Sequence, residues 1–343
     1  MYHQYNLALE VILNTNTLKT LLIEYDKKRL RAEEIADKNK HALYEEFPKL
    51  AEIDKKINFL ALSTIKEIAQ NNNQELISQL DDKISALKKE KELILSSIGS
   101  KADIIYPHYE CSKCNDTGYI TIDNQTQMCN CLKQKIYDIE YNKSNINALE
   151  KQNFKNFNLN FYSTEINLEK YQSDISPREN IKLILKICHD FIDNFDNIEE
   201  KNLLFTGKTG LGKTFLSSSI ANELLNQGKT VLYQTASVML DTIIDYRFNK
   251  GNVSKDIYDN LLNVDLLIID DLGTEGTNQM KLVELFNIIN SRLLNNKKVT
   301  KTIISTNLSL QSLFENYDER IVSRLVGNYD ICYFFGEDIR FLK

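Results

Sequence analysis

The pattern of apolar and polar positions divides the chain into two regimes. Over the first hundred residues apolar positions recur at helical spacing with almost no punctuation, Gly99 being the only glycine and Pro48 the only proline. In residues 74–96, Leu76, Leu80, Ile84, Leu87 and Ile94 fall on one stripe, the spacing of an amphipathic helix. The stripe covers too few heptads for a long coiled coil, so a helical hairpin or small bundle is expected, broken by the polar run Asn71, Asn72 and Asn73. Internal packing is the expected use of the stripe, with a grip on a partner helix as the alternative.

Further along, short continuous apolar runs alternate with helical segments. The runs at 202–206, 265–271, 301–305 and 331–335, with a further strand before the run at 233–237, predict a parallel five-stranded sheet wrapped by helices. The first run leads into GKTGLGKT, residues 207–214, and then into a helical segment at 213–227. This is the pattern of a phosphate-binding loop. Gly207, Lys208, Thr209, Gly210, Leu211 and Gly212 would turn backbone N–H groups around a polyphosphate, with Lys213 on the β- and γ-phosphates and Thr214 offering its hydroxyl to Mg²⁺. The helix N-terminus that follows favours the phosphate charge.

The run DLLIIDD at 265–271 closes in two acids, as a buried central strand of the Walker B type would, and delivers Asp270 to the Mg²⁺ shell. Asp271 then stands where a carboxylate polarises an attacking water. Asn307, after the strand at 301–305, is the candidate for orienting that water and sensing hydrolysis. In ERIVSRL, residues 319–325, Arg320 and Arg324 are four apart and share one helix face. Arg324 is the candidate finger acting on a neighbouring subunit's nucleotide and Arg320 a supporting residue, the alternative being ion pairs with Glu315 or Glu319. Arg340 is a candidate nucleotide contact in the same protomer.

From about residue 153 to its end the chain resembles the AAA+ ATPase domain of the DnaC/DnaI-type bacterial helicase loaders and of their relatives, the IstB-type transposition helpers. The matching elements are NFKNF at 153–157, GKTGLGKT, YQTAS at 233–237, LLIIDDLG, STN at 305–307 and ERIVSRL. The resemblance implies an ATP-driven homo-oligomer that holds the replicative DNA helicase and helps place it on single-stranded DNA. It also implies that Asp271 and Asn307 serve hydrolysis and that Arg324 acts in trans. Many ATPases of this kind carry Glu where this chain has Asp271. Two rivals share the core: a transposition helper, and a non-catalytic adaptor whose nucleotide only stabilises the fold.

Composition narrows the partners. A net charge of −6 argues against coating DNA by bulk electrostatics, so any strand contact is local. The resemblance puts such a contact in residues 237–263, where Arg247, Lys250 and Lys255 are the cations. No run approaches the roughly 20 apolar residues of a membrane span, and the N-terminus lacks the pattern of a signal peptide; a cytoplasmic protein is expected.

Four of the six cysteines crowd into residues 111–131 as CSKC and CNC. In a cytoplasmic chain two close pairs, Cys111 with Cys114 and Cys129 with Cys131, predict a tetrahedral structural zinc site, the alternatives being redox pairs or an iron–sulfur cluster. His108 is a possible substitute ligand, and Cys188 and Cys332 read as core thiols. The expected organisation is a helical adaptor at 1–100, a zinc-binding module at 101–141, a linker at 142–176 and a AAA+ ATPase domain at 177–343.

Overall fold

The structure is a computed structural model that describes residues 15–70, 74–140, 152–248, 256–276, 278–296 and 298–341. Two compact units are present, one formed by Thr20–Gln127 and the other centred on Met128–Lys343.

The first unit is built on three helices, α1 (Thr15–Glu46), α2 (Pro48–Gln70) and α3 (Gln74–Ile98). Pro48 opens α2, where its missing N–H costs no helical hydrogen bond. The expected break at 71–73 lies outside the described residues. Leu43, Leu50, Leu95 and Ile105 make a small core. Asp54 on α2 ties the helices together, accepting from Lys91 Nζ on α3 at 2.6 and 2.9 Å and from the Tyr44 hydroxyl on α1. On the expected stripe of α3, Leu80, Ile84, Leu87 and Ile94 are half-buried and Leu76 is exposed. After α3 the chain forms a hairpin of β1 (Tyr119–Ile122) and β2 (Gln125–Met128). Asp123 and Asn124 at its tip have φ of 50 and 61°, the left-handed pair of a two-residue turn.

The second unit begins with α4 (Asn130–Glu140) and, after isolated helical turns, continues as α5 (Pro177–Asp193), β3 (Asn202–Gly207), α6 (Lys213–Asn226), β4 (Val231–Thr235), α7 (Ala236–Arg247), α8 (Asp256–Asn263), β5 (Leu266–Leu272), α9 (Gln279–Leu293), β6 (Lys301–Thr306), α10 (Leu310–Asn316), α11 (Glu319–Asn328) and β7 (Tyr329–Phe334). The five strands β3 to β7 are parallel in the order β4-β5-β6-β3-β7, the expected AAA+ sheet. Because period-2 side chains alternate across a strand, Leu204, Leu267, Ile269 and Ile304 pack on one face against α7, α8, α9 and α11. Leu203, Phe205, Ile268 and Ile303 pack on the other against α5 and α6. Both faces are covered, which is why the strands read as unbroken apolar runs. Chain leaving β3 crosses to the far edge, whereas chain leaving β6 returns to the other side of β3, so a crevice opens at the carboxyl ends of these neighbours.

Two segments expected to lie outside the ATPase domain contribute to this unit. Tyr162 is buried in the core under α5 and α6, with Phe154, Phe157 and Phe161 packed against it; aromatic side chains spaced through this stretch have nowhere drier to go. Residues 142–151 of the expected linker lie outside the described residues. α4, expected to close the zinc module, instead packs on the edge strand β4. There the Gln134 amide accepts from Val231 N at 2.7 Å and donates to Val231 O at 3.0 Å, while Asn130 Nδ2 donates to Gly228 O at 2.9 Å. A carboxamide presents the same donor and acceptor as a peptide unit, and so pairs with this edge as a neighbouring strand would. Tyr137 follows it into the core.

Candidate functional site

The loop between β3 and α6 wraps over the carboxyl end of β3. At Gly210, with φ of 76°, an added Cβ would collide with the Asp338 carboxylate, and at Gly212, with φ of 95°, it would come within 2.6 Å of the Tyr162 hydroxyl. Glycine is therefore required at both positions by conformation and by space. The buried Lys213 donates to Gly207 O at 2.6 Å, Lys208 O at 2.7 Å and Asn307 Oδ1 at 2.8 Å. Burial pushes its ammonium down to about 8, against the opposing pull of Asp271 and Asp270. Lys208, Thr209 and Thr214 are exposed on the same loop and helix start.

Asp270, buried at the end of β5, accepts from Thr214 Oγ1 at 3.2 Å, from the Tyr233 hydroxyl at 2.9 Å and from the Ser305 hydroxyl. Burial, and then the Asp270 charge, raise the Tyr233 phenol well above its ordinary value, so it remains a donor. At Asp271 the register with β6 shifts and the backbone turns to φ 54°. Such a bulge aims the second carboxylate away from the strand line, and the Asp271 N–H donates to Ser305 Oγ at 3.0 Å. Burial and the Asp270 charge raise the Asp271 carboxyl, while Lys213 and Asn307 draw it down.

Of these groups Lys213, Thr214, Asp271 and Asn307 face a cavity of about 420 Å³, with Asp270 behind Thr214. Thr209 to Phe215, Asp271, Asn307 and Arg340 line it together with Phe157, Phe161, Tyr162 and Ile339. Phe157 stacks on Tyr162 at 5.8 Å between centroids and meets Phe215 edge-on at 5.5 Å. The C-terminal segment joins the loop directly, Ile339 N donating to Gly210 O at 2.9 Å. Arg340 is held by Asp338, with Nη2 2.5 Å from Oδ2.

The arrangement fits a magnesium nucleotide. Glycine-lined backbone and an ammonium suit the phosphates, paired Thr214 and Asp270 oxygens suit Mg²⁺, and a flat aromatic wall suits a base. Tyr233, Ser305 and the wall residues Phe161, Tyr162 and Ile339 were not singled out from sequence. Their only prior signal was their position within or beside matched motifs.

The arginines of α11 do not line this cavity. Arg324 is half-buried and donates through Nε to Asn290 Oδ1 at 3.0 Å. Arg320 pairs with Asp318 at 2.9 Å, not with Glu315 or Glu319, and lies 5.0 Å from the centroid of Phe286. In the segment considered for DNA, Arg247 is engaged by Glu284 at 2.9 and 3.3 Å and sits over Tyr258, leaving it little freedom for phosphate. Lys250 and Lys255 lie outside the described residues.

Cys111, Cys114, Cys129 and Cys131 bring their Sγ atoms within 4.8 Å of one another, and His108 is not in the cluster. Asp116, at φ 54°, shapes the first turn by accepting from Glu110 N at 2.9 Å and Cys111 N at 2.8 Å. Thiolates 2.3 Å from a tetrahedral Zn²⁺ stand roughly 3.8 Å apart, so the donor set fits zinc. Cys188 on α5 and Cys332 on β7 are buried, and burial pushes the Cys332 thiol up to about 12.

The profile of the IstB-like ATP binding proteins matches residues 150–327, and the chain belongs to that family. Over 146 residues it is 32% identical to the replicative helicase loader DnaC of Escherichia coli strain K12, a match covering 42% of this chain and 58% of that one. Against DnaC of Buchnera aphidicola subsp. Baizongia pistaciae, identity is 32% over 152 residues, covering 44% and 60%. A crystal structure of the DnaC helicase loader matches with 22% identity and a TM-score of 0.42, over 55% of this chain and 99% of that one. The chain thus spans less than two thirds of the length of both sequence relatives. Among the described residues no helix is long and apolar enough to cross a membrane.

Proposed function

We propose that this chain is an ATP-dependent loader of a replicative DNA helicase, acting in the cytoplasm as a homo-oligomer and helping to place the helicase on single-stranded DNA. The observation that carries the reading is a cavity whose lining fits a magnesium nucleotide, in a chain that matches the IstB-like ATP binding proteins over residues 150–327 and is 32% identical to DnaC over 146 residues. Lys213 would exchange its carbonyl partners for the β- and γ-phosphates. Thr214 and Asp270 would hold Mg²⁺, whose charge stabilises the transferring phosphoryl oxygens when bound. Tyr233 and Ser305 keep Asp270 aimed at that position. Asp271, turned out of the strand by its bulge, would accept a proton from the attacking water.

Asn307 bonds Lys213, so a change at the phosphate end is felt at the carboxyl end of β6. Arg324 would reach a neighbouring subunit's nucleotide after leaving Asn290, and Arg340 would meet nucleotide in its own protomer after leaving Asp338. Cys111, Cys114, Cys129 and Cys131 would hold a structural zinc ion, four protein ligands leaving no open position for water. The helical and zinc-bearing module within residues 1–152 is the proposed helicase grip.

Co-purification with the host's replicative helicase, with and without ATP, tests the reading on the full chain and on Lys213→Ala. Retention of helicase by the full chain, altered by nucleotide and lost in its nucleotide response with Lys213→Ala, is expected. No retention in any nucleotide state overturns the loader reading and turns the search to a transposase.

A further inference from the structure

Gln152 lines the same cavity as the loop, immediately before the segment that carries Phe157, Phe161 and Tyr162. Its Oε1 is buried and has no hydrogen-bond partner among the described residues. A buried acceptor without a donor costs roughly 1–3 kcal/mol, and because Gln152 itself lines the cavity, a turn of its carboxamide brings this acceptor to a ligand's N–H. Phosphate offers no such hydrogen at neutral pH, and a ribose hydroxyl or a base amino group does. The aromatic wall beside Gln152 favours the base. Aromatic faces stack every base with little preference, so discrimination at this wall must come from a polar group; Asn158 and Asn307 already accept from Asn160 N and Lys213, whereas the buried Gln152 Oε1 has no donor among the described residues.

We propose that the Gln152 carboxamide reads the base, its Oε1 accepting a hydrogen from the 6-amino group of adenine. The inference rests on the reading of this cavity as the ATP site. A carboxamide sets one acceptor beside one donor, matching the 6-amino and N7 groups of adenine, whereas guanine presents two acceptors, O6 and N7, along that edge. Hypoxanthine does the same. With either of those bases Oε1 faces another acceptor and stays unsatisfied.

Calorimetric titration of ATP, GTP and ITP with Mg²⁺ into the full chain, and into Gln152→Leu and Gln152→Ala, tests this. The unaltered protein is expected to prefer ATP over GTP and ITP by about tenfold or more. Both variants should lose that preference through weaker ATP binding, with GTP and ITP affinities unchanged. The GTP affinity also reports that the pocket is still folded. An unchanged preference, or equal weakening of all three nucleotides, overturns the inference while the nucleotide site stands. If the unaltered protein binds none of the three, the site reading falls and the inference with it.

Discussion

Raising the pH from 7 to 9 should weaken ATP binding by neutralising Lys213. Three acceptors hold this side chain, yet burial takes its ammonium from 10.5 down to about 8. A group with that value is about 90% protonated at pH 7 and about 10% at pH 9. Only the charged form pairs with a triphosphate, whose last ionisation, near 6, is already complete in this window. ATP affinity should therefore fall about tenfold from pH 7 to pH 9, ~1.4 kcal/mol.

The sign follows from linkage. A complex that needs the ammonium takes up a proton wherever free Lys213 is partly neutral, and rising pH opposes it. Calorimetry with Mg²⁺ and a non-hydrolysable ATP analogue, in buffers of different ionisation heat, reads both affinity and proton uptake, which near pH 8 should be about half a proton per site. Binding that is flat from pH 7 to pH 9, without proton uptake, would refute the reasoning. Folding responds in the opposite sense. Because the folded value lies below the unfolded one, the buried cation costs stability at neutral pH, and that cost is relieved as pH rises from about 8 towards 10.5.

Three further expectations concern other parts of the molecule. Gln134→Leu removes the two hydrogen bonds to Val231 N and O at the sheet edge and should cost about 2 kcal/mol, read as a fall of about 4–8 °C in the unfolding midpoint; an unchanged midpoint would show that water serves that edge equally well. Asp271→Asn should reduce ATP turnover in the assembled complex by at least about 100-fold with little change in ATP affinity, whereas equal loss of both would move Asp271 from hydrolysis to binding. Metal analysis should find about one zinc ion per chain. Cys114→Ser should lose it and raise hydrogen exchange through residues 106–140, and a metal-free wild-type chain with the same exchange protection would refute a structural zinc.

Much of the site was legible because its chemistry is local. A glycine-spaced loop between an apolar run and a helix, and two acids closing another apolar run, admit few backbone paths, so spacing could bring Lys213, Thr214, Asp270 and Asp271 to one place. The aromatic wall was not, because Phe157, Phe161 and Tyr162 precede the loop by some fifty residues. Nothing in their spacing says that they fold back over it. The partners of Asp270 were hidden for the same reason. Tyr233 lies on β4 and Ser305 on β6, and only pairing on both sides of β5 brings their hydroxyls to one carboxylate.

Hydrophobic period and cysteine spacing were sufficient to define the helical first region, the strands of the parallel sheet and the clustering of four thiols, since each is written in residues close in the chain. Tertiary packing alone decided that α4 closes the sheet edge through Gln134, that aromatic residues before α5 enter the core, that Arg247 is held by Glu284, and that Gln152 reaches the nucleotide cavity. Each of these joins groups between sixteen and roughly a hundred residues apart. Such pairings depend on which buried surfaces and unpaired backbone groups remain once the sheet has formed, and spacing along a chain carries no record of them.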